Sequence, residues 1–163
     1  MNKKSLVVYT TRCGSTAEVA QAISLDLKDR GYMVDIQPVK EVSTISGYDT
    51  VVIGSPIRFN QWLPEAVAFV RRYQLEISKM QSAFFAVHIL NTGQSESMQA
   101  ARRSYLDPVR LIVRPDEEAY FTGWVNLQKL NLMERFMAKA FKTPLDDQRD
   151  WAAVHAWGKS IFA

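Results

Sequence analysis

Six consecutive residues, Thr11-Arg12-Cys13-Gly14-Ser15-Thr16, have the make-up of an anion-binding turn. Three carry hydroxyls that can donate hydrogen bonds, and Gly14 admits a backbone conformation that other residues resist. The apolar run Val7-Val8-Tyr9 lies just before them. Ala17-Glu18-Val19-Ala20-Gln21-Ala22-Ile23 follows with helical spacing, so the turn joins a strand to a helix N-terminus. The first N–H groups of a helix lack partners inside it, and its dipole favours an anion at that end. The competing reading is an ordinary strand-to-helix turn with a serine or threonine as the helix cap.

Two further stretches carry groups suited to a flat, polar-edged ligand. Ser55-Pro56-Ile57-Arg58-Phe59-Asn60-Gln61-Trp62 sets two large rings, Phe59 and Trp62, beside the cation Arg58. The rings can wall a conjugated ligand or simply cover the end of the core. Arg58 can face developing negative charge, a phosphate or solvent. Asn91-Thr92-Gly93-Gln94-Ser95 offers backbone groups and an amide to a polar edge, or forms a plain turn.

The elements that must position these stretches alternate. Strands are predicted at Ser5–Thr10, Tyr32–Val39, Thr50–Gly54, Ser82–Leu90 and Glu118–Gly123. Helices are predicted at Ser15–Arg30, Leu63–Ser78, Glu96–Val109, Leu130–Lys142 and Asp147–Phe162, with a short turn or half-helix at Ser43–Gly47. The run Val51-Val52-Ile53 is apolar on both faces, as a central parallel strand requires. Strands alternating with helices predict an α/β three-layer sandwich, a parallel sheet with helices on both faces. Ligands of such sheets bind past the carboxyl ends of the strands, where all three stretches fall.

Composition narrows the classes further. A length of 163 residues with 47% hydrophobic content suits a single domain over residues 1–163. The net charge of +3 is too small to signal nucleic acid by itself. No apolar run reaches membrane-spanning length, and Met1-Asn2-Lys3-Lys4-Ser5 leads straight into a short strand rather than a signal peptide. The single cysteine, Cys13, excludes an internal disulfide and any paired-cysteine metal site, so no metal is expected. These features together point to a cytoplasmic protein. His88 and His155 read as structural, and Asp116-Glu117-Glu118 as a solvated turn.

The first stretch resembles the flavodoxin signature, with Val7, Val8, Tyr9, Thr11, Gly14, Thr16, Ala20 and Ile23 in every specified place. More narrowly, the chain is similar to the flavodoxin-domain family that includes menaquinone-dependent protoporphyrinogen oxidase. The resemblance rests on Thr10-Thr11-Arg12-Cys13-Gly14-Ser15-Thr16, on Val51-Val52-Ile53-Gly54-Ser55-Pro56-Ile57-Arg58-Phe59 and on Ser82-Ala83-Phe84-Phe85. Glu134-Arg135-Phe136-Met137 and Asp147-Gln148-Arg149-Asp150-Trp151 extend it over nearly the whole chain. Asn60 departs from the pattern, standing where glycine is common, and Pro56 stiffens the second stretch.

The resemblance implies a flavodoxin-like fold with five parallel strands in the order 2-1-3-4-5 and noncovalent FMN. Its phosphate would rest on Thr11, Arg12, Cys13, Gly14, Ser15 and Thr16. Pro56, Ile57, Arg58, Phe59 and Asn60 would line the ring, with Asn91, Thr92 and Gly93 at its other edge. The implied activity is quinone-linked oxidation of a porphyrinogen-type substrate. A non-catalytic electron carrier and an FMN-free interaction module are the alternatives. Carriers of this fold are usually acidic, unlike this chain.

One segment admits two readings. Leu130, Met133, Met137 and Phe141 fall on one helical face, with Lys129, Arg135, Lys139 and Lys142 on the polar side. Such a helix packs on the core, or it meets an apolar partner or a membrane surface, giving a peripheral location at the inner face. Trp124 can anchor residues 124–142 at that interface.

Overall fold

The computed structural model describes residues 2–163. Five parallel strands form the main sheet: β1 (Lys4–Tyr9), β2 (Met33–Pro38), β3 (Thr50–Arg58), β5 (Gln81–His88) and β6 (Glu117–Thr122). Their spatial order, β2-β1-β3-β5-β6, is the one the resemblance implies. A sixth strand of two residues, β4 (Gln61–Trp62), pairs antiparallel with the end of β3.

Alternation along each strand divides the core into two layers. Leu6, Val8, Val51, Ile53, Phe84 and Ala86 pack one face against α2 (Pro64–Arg72), α3 (Gln74–Ile77) and α5 (Asp107–Arg110). Val7, Val52, Ala83, Phe85 and Val87 pack the other against α1 (Ser15–Asp29) and α7 (Trp151–Ser160). Successive side chains of a strand point to opposite faces, so β1, β3 and β5 must be apolar throughout to be covered on both.

α7 docks on α1 through polar groups as well. His155 Nδ1 lies 2.8 Å from Asp26 Oδ2, and Arg30 Nη1 donates to the Ile161 carbonyl at 2.6 Å. Gly158 lets the two helices approach, because a Cβ there would stand 2.6 Å from Asp26 Oδ2.

Several element boundaries differ from the sequence expectation, among them the start of the last helix, at Trp151 rather than Asp147. The helix expected over 96–109 is split into α4 (Glu96–Ser104) and α5. Pro108 lacks an N–H and, inside a continuous helix, would strike the carbonyl of Ser104, so the first helix ends there. The expected helix 63–78 is divided at Tyr73 into α2 and α3. The largest difference lies after Gly54, where a loop was expected and β3 runs on to Arg58. The Phe59-Asn60 turn then folds the chain back into β4, with φ of 50° and 61°. Asparagine tolerates this left-handed region, but for a bulky residue such as Phe59 it is an outlier.

Candidate functional site

At the carboxyl end of the sheet a cavity of about 510 Å³ opens between the first turn, the β3–β4 hairpin and the chain beyond β6. That volume suits a cofactor-sized ligand.

The floor is the 11–16 turn. Thr10 N donates to the Gly54 carbonyl at 3.0 Å, fixing the turn to the central strand. Gly14 takes φ of 91° at the N-cap of α1, and its N–H donates to Thr11 Oγ1 at 3.0 Å. No side chain caps α1, so the ordinary capped turn considered from the sequence is not what forms. Thr10 Oγ1 is buried at the root of the turn without a hydrogen-bond partner. An uncapped helix start, a left-handed glycine and an orphan hydroxyl fit a phosphate group.

Two side chains of the turn are tied to the chain after β6. Ser15 Oγ accepts from Trp124 N at 3.1 Å, and Cys13 Sγ donates to the Trp124 carbonyl at 3.3 Å. Arg12 does not stand free, because its Nη1 lies 2.5 Å from Glu65 Oε1 at the start of α2. Burial pushes the Glu65 carboxyl up, but hydrogen bonding and charge from Arg12 hold it below the usual carboxylate range, so the pair is ionic at neutral pH.

The hairpin forms one wall. Pro56, Ile57, Arg58, Phe59 and Asn60 all border the cavity. Phe59 is 82% exposed at its rim. Trp62, grouped with it in the sequence, is instead buried in the core, its ring 5.4 Å from Phe84. The β3–β4 pairing separates them: the two rings stand on opposite sides of a tight turn. Ser55 holds the hairpin down by accepting from Leu63 N at 2.9 Å.

The opposite wall comes from the end of β5. His88 is buried beside the cavity, and its Nδ1 donates to the Leu90 carbonyl at 2.8 Å, which puts the proton on Nδ1. Burial lowers its pKa, so the ring is neutral at pH 7. Asn91, Thr92 and Gly93 do not border the cavity. Arg102 Nη1 draws the Asn91 and Gly93 carbonyls toward α4 at 2.5 and 2.6 Å, and Asn91 Nδ2 donates to Tyr105 Oη at 2.8 Å. Val87, His88, Ile89 and Leu90 line that side instead.

The roof was not legible as part of the site. α6 (Leu132–Ala140) has no buried residue, so it does not pack on the core in the expected way. Glu134, Met137 and Ala138 face the cavity, while Leu132 (83% exposed) and Phe136 (72%) face outward. Asn131 and Glu134 form a reciprocal capping box at its start. The same Glu134 meets Arg58 across the opening at 3.5 Å. Beyond the roof, Arg149 is 7% exposed along its side chain, pairs with Glu18 and Asp147, and lies over the rings of Trp124 and Trp151 at 5.2 and 4.7 Å. It thereby clamps the chain after β6 to α1 and α7. The strand-end rule that selected three loops applies equally to Gly123-Trp124-Val125, and it would have found this side of the cavity.

A doubly wound sheet of order β2-β1-β3-β5-β6 with an uncapped glycine turn after its first strand defines the flavodoxin-like class of fold. The flavodoxin domain family model matches residues 6–151, and the chain belongs to that family. It is 29% identical over 140 residues to protoporphyrinogen IX dehydrogenase [quinone] of Escherichia coli (strain K12), covering 83% of this chain and 77% of that protein. A protein of the same name from Leishmania major is 28% identical over 175 residues, covering 98% of this chain and 75% of its own length. An archaeal flavodoxin structure superposes with a TM-score of 0.58 at 16% identity, covering 97% of this chain and 95% of that one. A Fusobacterium nucleatum flavodoxin variant bound to flavin mononucleotide gives 0.51 at 16% identity, covering 75% and 71%. Among the described residues no helix is long and apolar enough to cross a membrane.

Proposed function

We propose that this protein, as one domain over residues 1–163, is an FMN-dependent oxidoreductase of the quinone-linked, porphyrinogen-oxidising kind. The observation that carries this reading is the union of an uncapped phosphate turn with an apolar, roofed chamber in one cavity. The names of the relatives from E. coli and L. major agree with it. Bound FMN would supply the redox chemistry, passing electrons from the reduced substrate to a quinone.

The chain's own residues hold and tune. The 11–16 turn offers backbone N–H groups and hydroxyls to the phosphate, with Arg12 held to its side by Glu65. Ile57, Phe59 and Met137 bound an apolar space for the ring, from which α6 excludes water. Asn91, Thr92 and Gly93 lie behind the β5 end, where Arg102 holds the Asn91 and Gly93 carbonyls. The exposed Leu132 and Phe136, with Lys139 on the same helix and Lys142 just beyond its end, suit approach to a lipid surface that stores an apolar quinone.

FMN titration of the purified apoprotein tests the reading. Saturation at one FMN per chain is expected, followed by quinone-coupled porphyrinogen oxidation that rises when anionic vesicles are added. Failure to bind FMN would return the chain to the interaction-module reading. Binding without turnover would favour the carrier, and indifference to vesicles would remove the lipid contact.

Arg58 and Glu134 give opposite and measurable effects on the flavin potential. Arg58→Gln leaves the Glu134 carboxylate unbalanced beside the cavity, which disfavours the negative charge that reduction adds. The potential should fall by about 30 mV, equivalent to ~1.4 kcal/mol for a two-electron couple. Glu134→Gln leaves the Arg58 cation unbalanced, and the potential should rise by a similar amount. Glutamine still serves the capping box, so the roof stays in place. Spectroelectrochemistry showing no movement in either variant would place both groups away from the ring.

A further inference from the structure

Resting on the flavin reading above, we infer that Lys129 is a phosphate-binding residue, brought to the 11–16 turn from the far end of the chain. A Cβ built on Gly14 would lie 2.9 Å from Lys129 Nζ, so the ammonium stands directly over the glycine at the start of α1. Residues Leu127–Lys129 form a single turn of 3₁₀ helix whose position is fixed from several sides. Asn126 Oδ1 accepts from Gln128 N at 3.0 Å. Arg135 reaches back from α6 to the carbonyls of Leu130, at 3.0 Å, and Gln128, at 3.4 Å. Leu130 is itself buried.

The charges around the turn isolate this lysine. Arg12 is paired with Glu65, Arg58 with Glu134 and Arg149 with Glu18 and Asp147. Each carboxylate beside the cavity is therefore already held by an arginine. Among the described residues no carboxylate lies within 4.0 Å of Lys129 Nζ. An unneutralised ammonium over an uncapped helix start presents two positive ends to one point, and a phosphate dianion satisfies both. A side chain at Gly14 would push the flexible end of Lys129 out of this place.

Lys129 also stands directly before Leu130 and α6, so a phosphate held by both Lys129 and the turn links the floor of the cavity to its roof.

The test compares FMN with riboflavin, which has the same ring but no phosphate, on the wild type, Lys129→Ala and Lys129→Arg. Lys129→Ala should weaken FMN about tenfold and reduce the salt dependence of its binding, while riboflavin affinity stays unchanged. Lys129→Arg should retain most of the FMN affinity. Equal losses for both flavins would show that Lys129 acts only through the roof, and no loss for either would show that it faces solvent; either result overturns the assignment. A wild type that binds neither flavin would instead overturn the flavin reading on which it rests. The affinities are read from flavin fluorescence and need no catalytic assay.

Discussion

Gly54→Ala is expected to destabilise the protein by about 3 kcal/mol or more, lowering the melting temperature by about 10 °C. Gly54 pairs directly with Phe85 across β3 and β5, and the Phe85 ring lies over its Cα. Any Cβ would fall well inside contact with the ring carbons of Phe85. That ring is fully buried and also packs against Phe121 at 6.0 Å and Trp157 at 6.1 Å, so it has nowhere to retreat. The loss is large against the 5–15 kcal/mol that holds a typical domain folded. A smaller side chain at 85 should relieve it: Gly54→Ala with Phe85→Leu should be less destabilised than the sum of the single variants. Thermal unfolding of the four proteins completes the cycle, and strict additivity would mean that the two sites do not meet. Because the Gly54 carbonyl receives Thr10 N, the single variant should also loosen the 11–16 turn.

Gly14→Val should cut FMN affinity by about a hundredfold. The native φ of 91° is closed to a β-branched residue at a cost of about 1–3 kcal/mol, so the N-terminus of α1 must rearrange to accept it. On the proposed reading, the rearrangement would turn aside the N–H groups offered to the phosphate, and the new side chain would displace Lys129. Gly14→Ala, with less bulk, should retain more affinity. Fluorescence titration of the two variants gives the order, and wild-type affinity in Gly14→Val would show that the phosphate does not bind at this turn.

The fold was legible because its signals are local and repeated. Val7-Val8, Val51-Val52-Ile53 and Ala83-Phe84-Phe85 each fill both faces of a strand, and helices covering both faces of a parallel sheet follow from that pattern. The left-handed turn at Gly14 was legible for the same reason, since strand, glycine and helix start are contiguous at residues 7–23. The break at Pro108 was missed, although its ring and missing N–H act within one turn of helix, because the expected helix was run through it to Val109.

Other features depended on residues distant in sequence. Phe59 and Trp62 have similar chemistry in the sequence, but pairing of Gln61 and Trp62 with Arg58 and Ile57 sends one to the rim and the other to the core. Asn91–Gly93 read as a ligand edge, but the fold sets them outside the cavity lining, with the Asn91 and Gly93 carbonyls held by Arg102 on α4. The amphipathic pattern of α6 matched a core helix, yet its buried neighbour is a cavity, a distinction that apolar spacing alone does not carry.

The sequence by itself determined the alternation of strands and helices and the glycine-bearing turn at the carboxyl end of β1, because those rest on short-range periodicity and contiguous residue types; the strand order came with the family that its motifs resemble. Only the tertiary structure decided that Glu134 answers Arg58, that Glu65 claims Arg12 and that Lys129 reaches Gly14. These pairs are 53 to 115 residues apart in the chain. They form only where the folded sheet brings loop ends together, at distances set by packing rather than by local propensity.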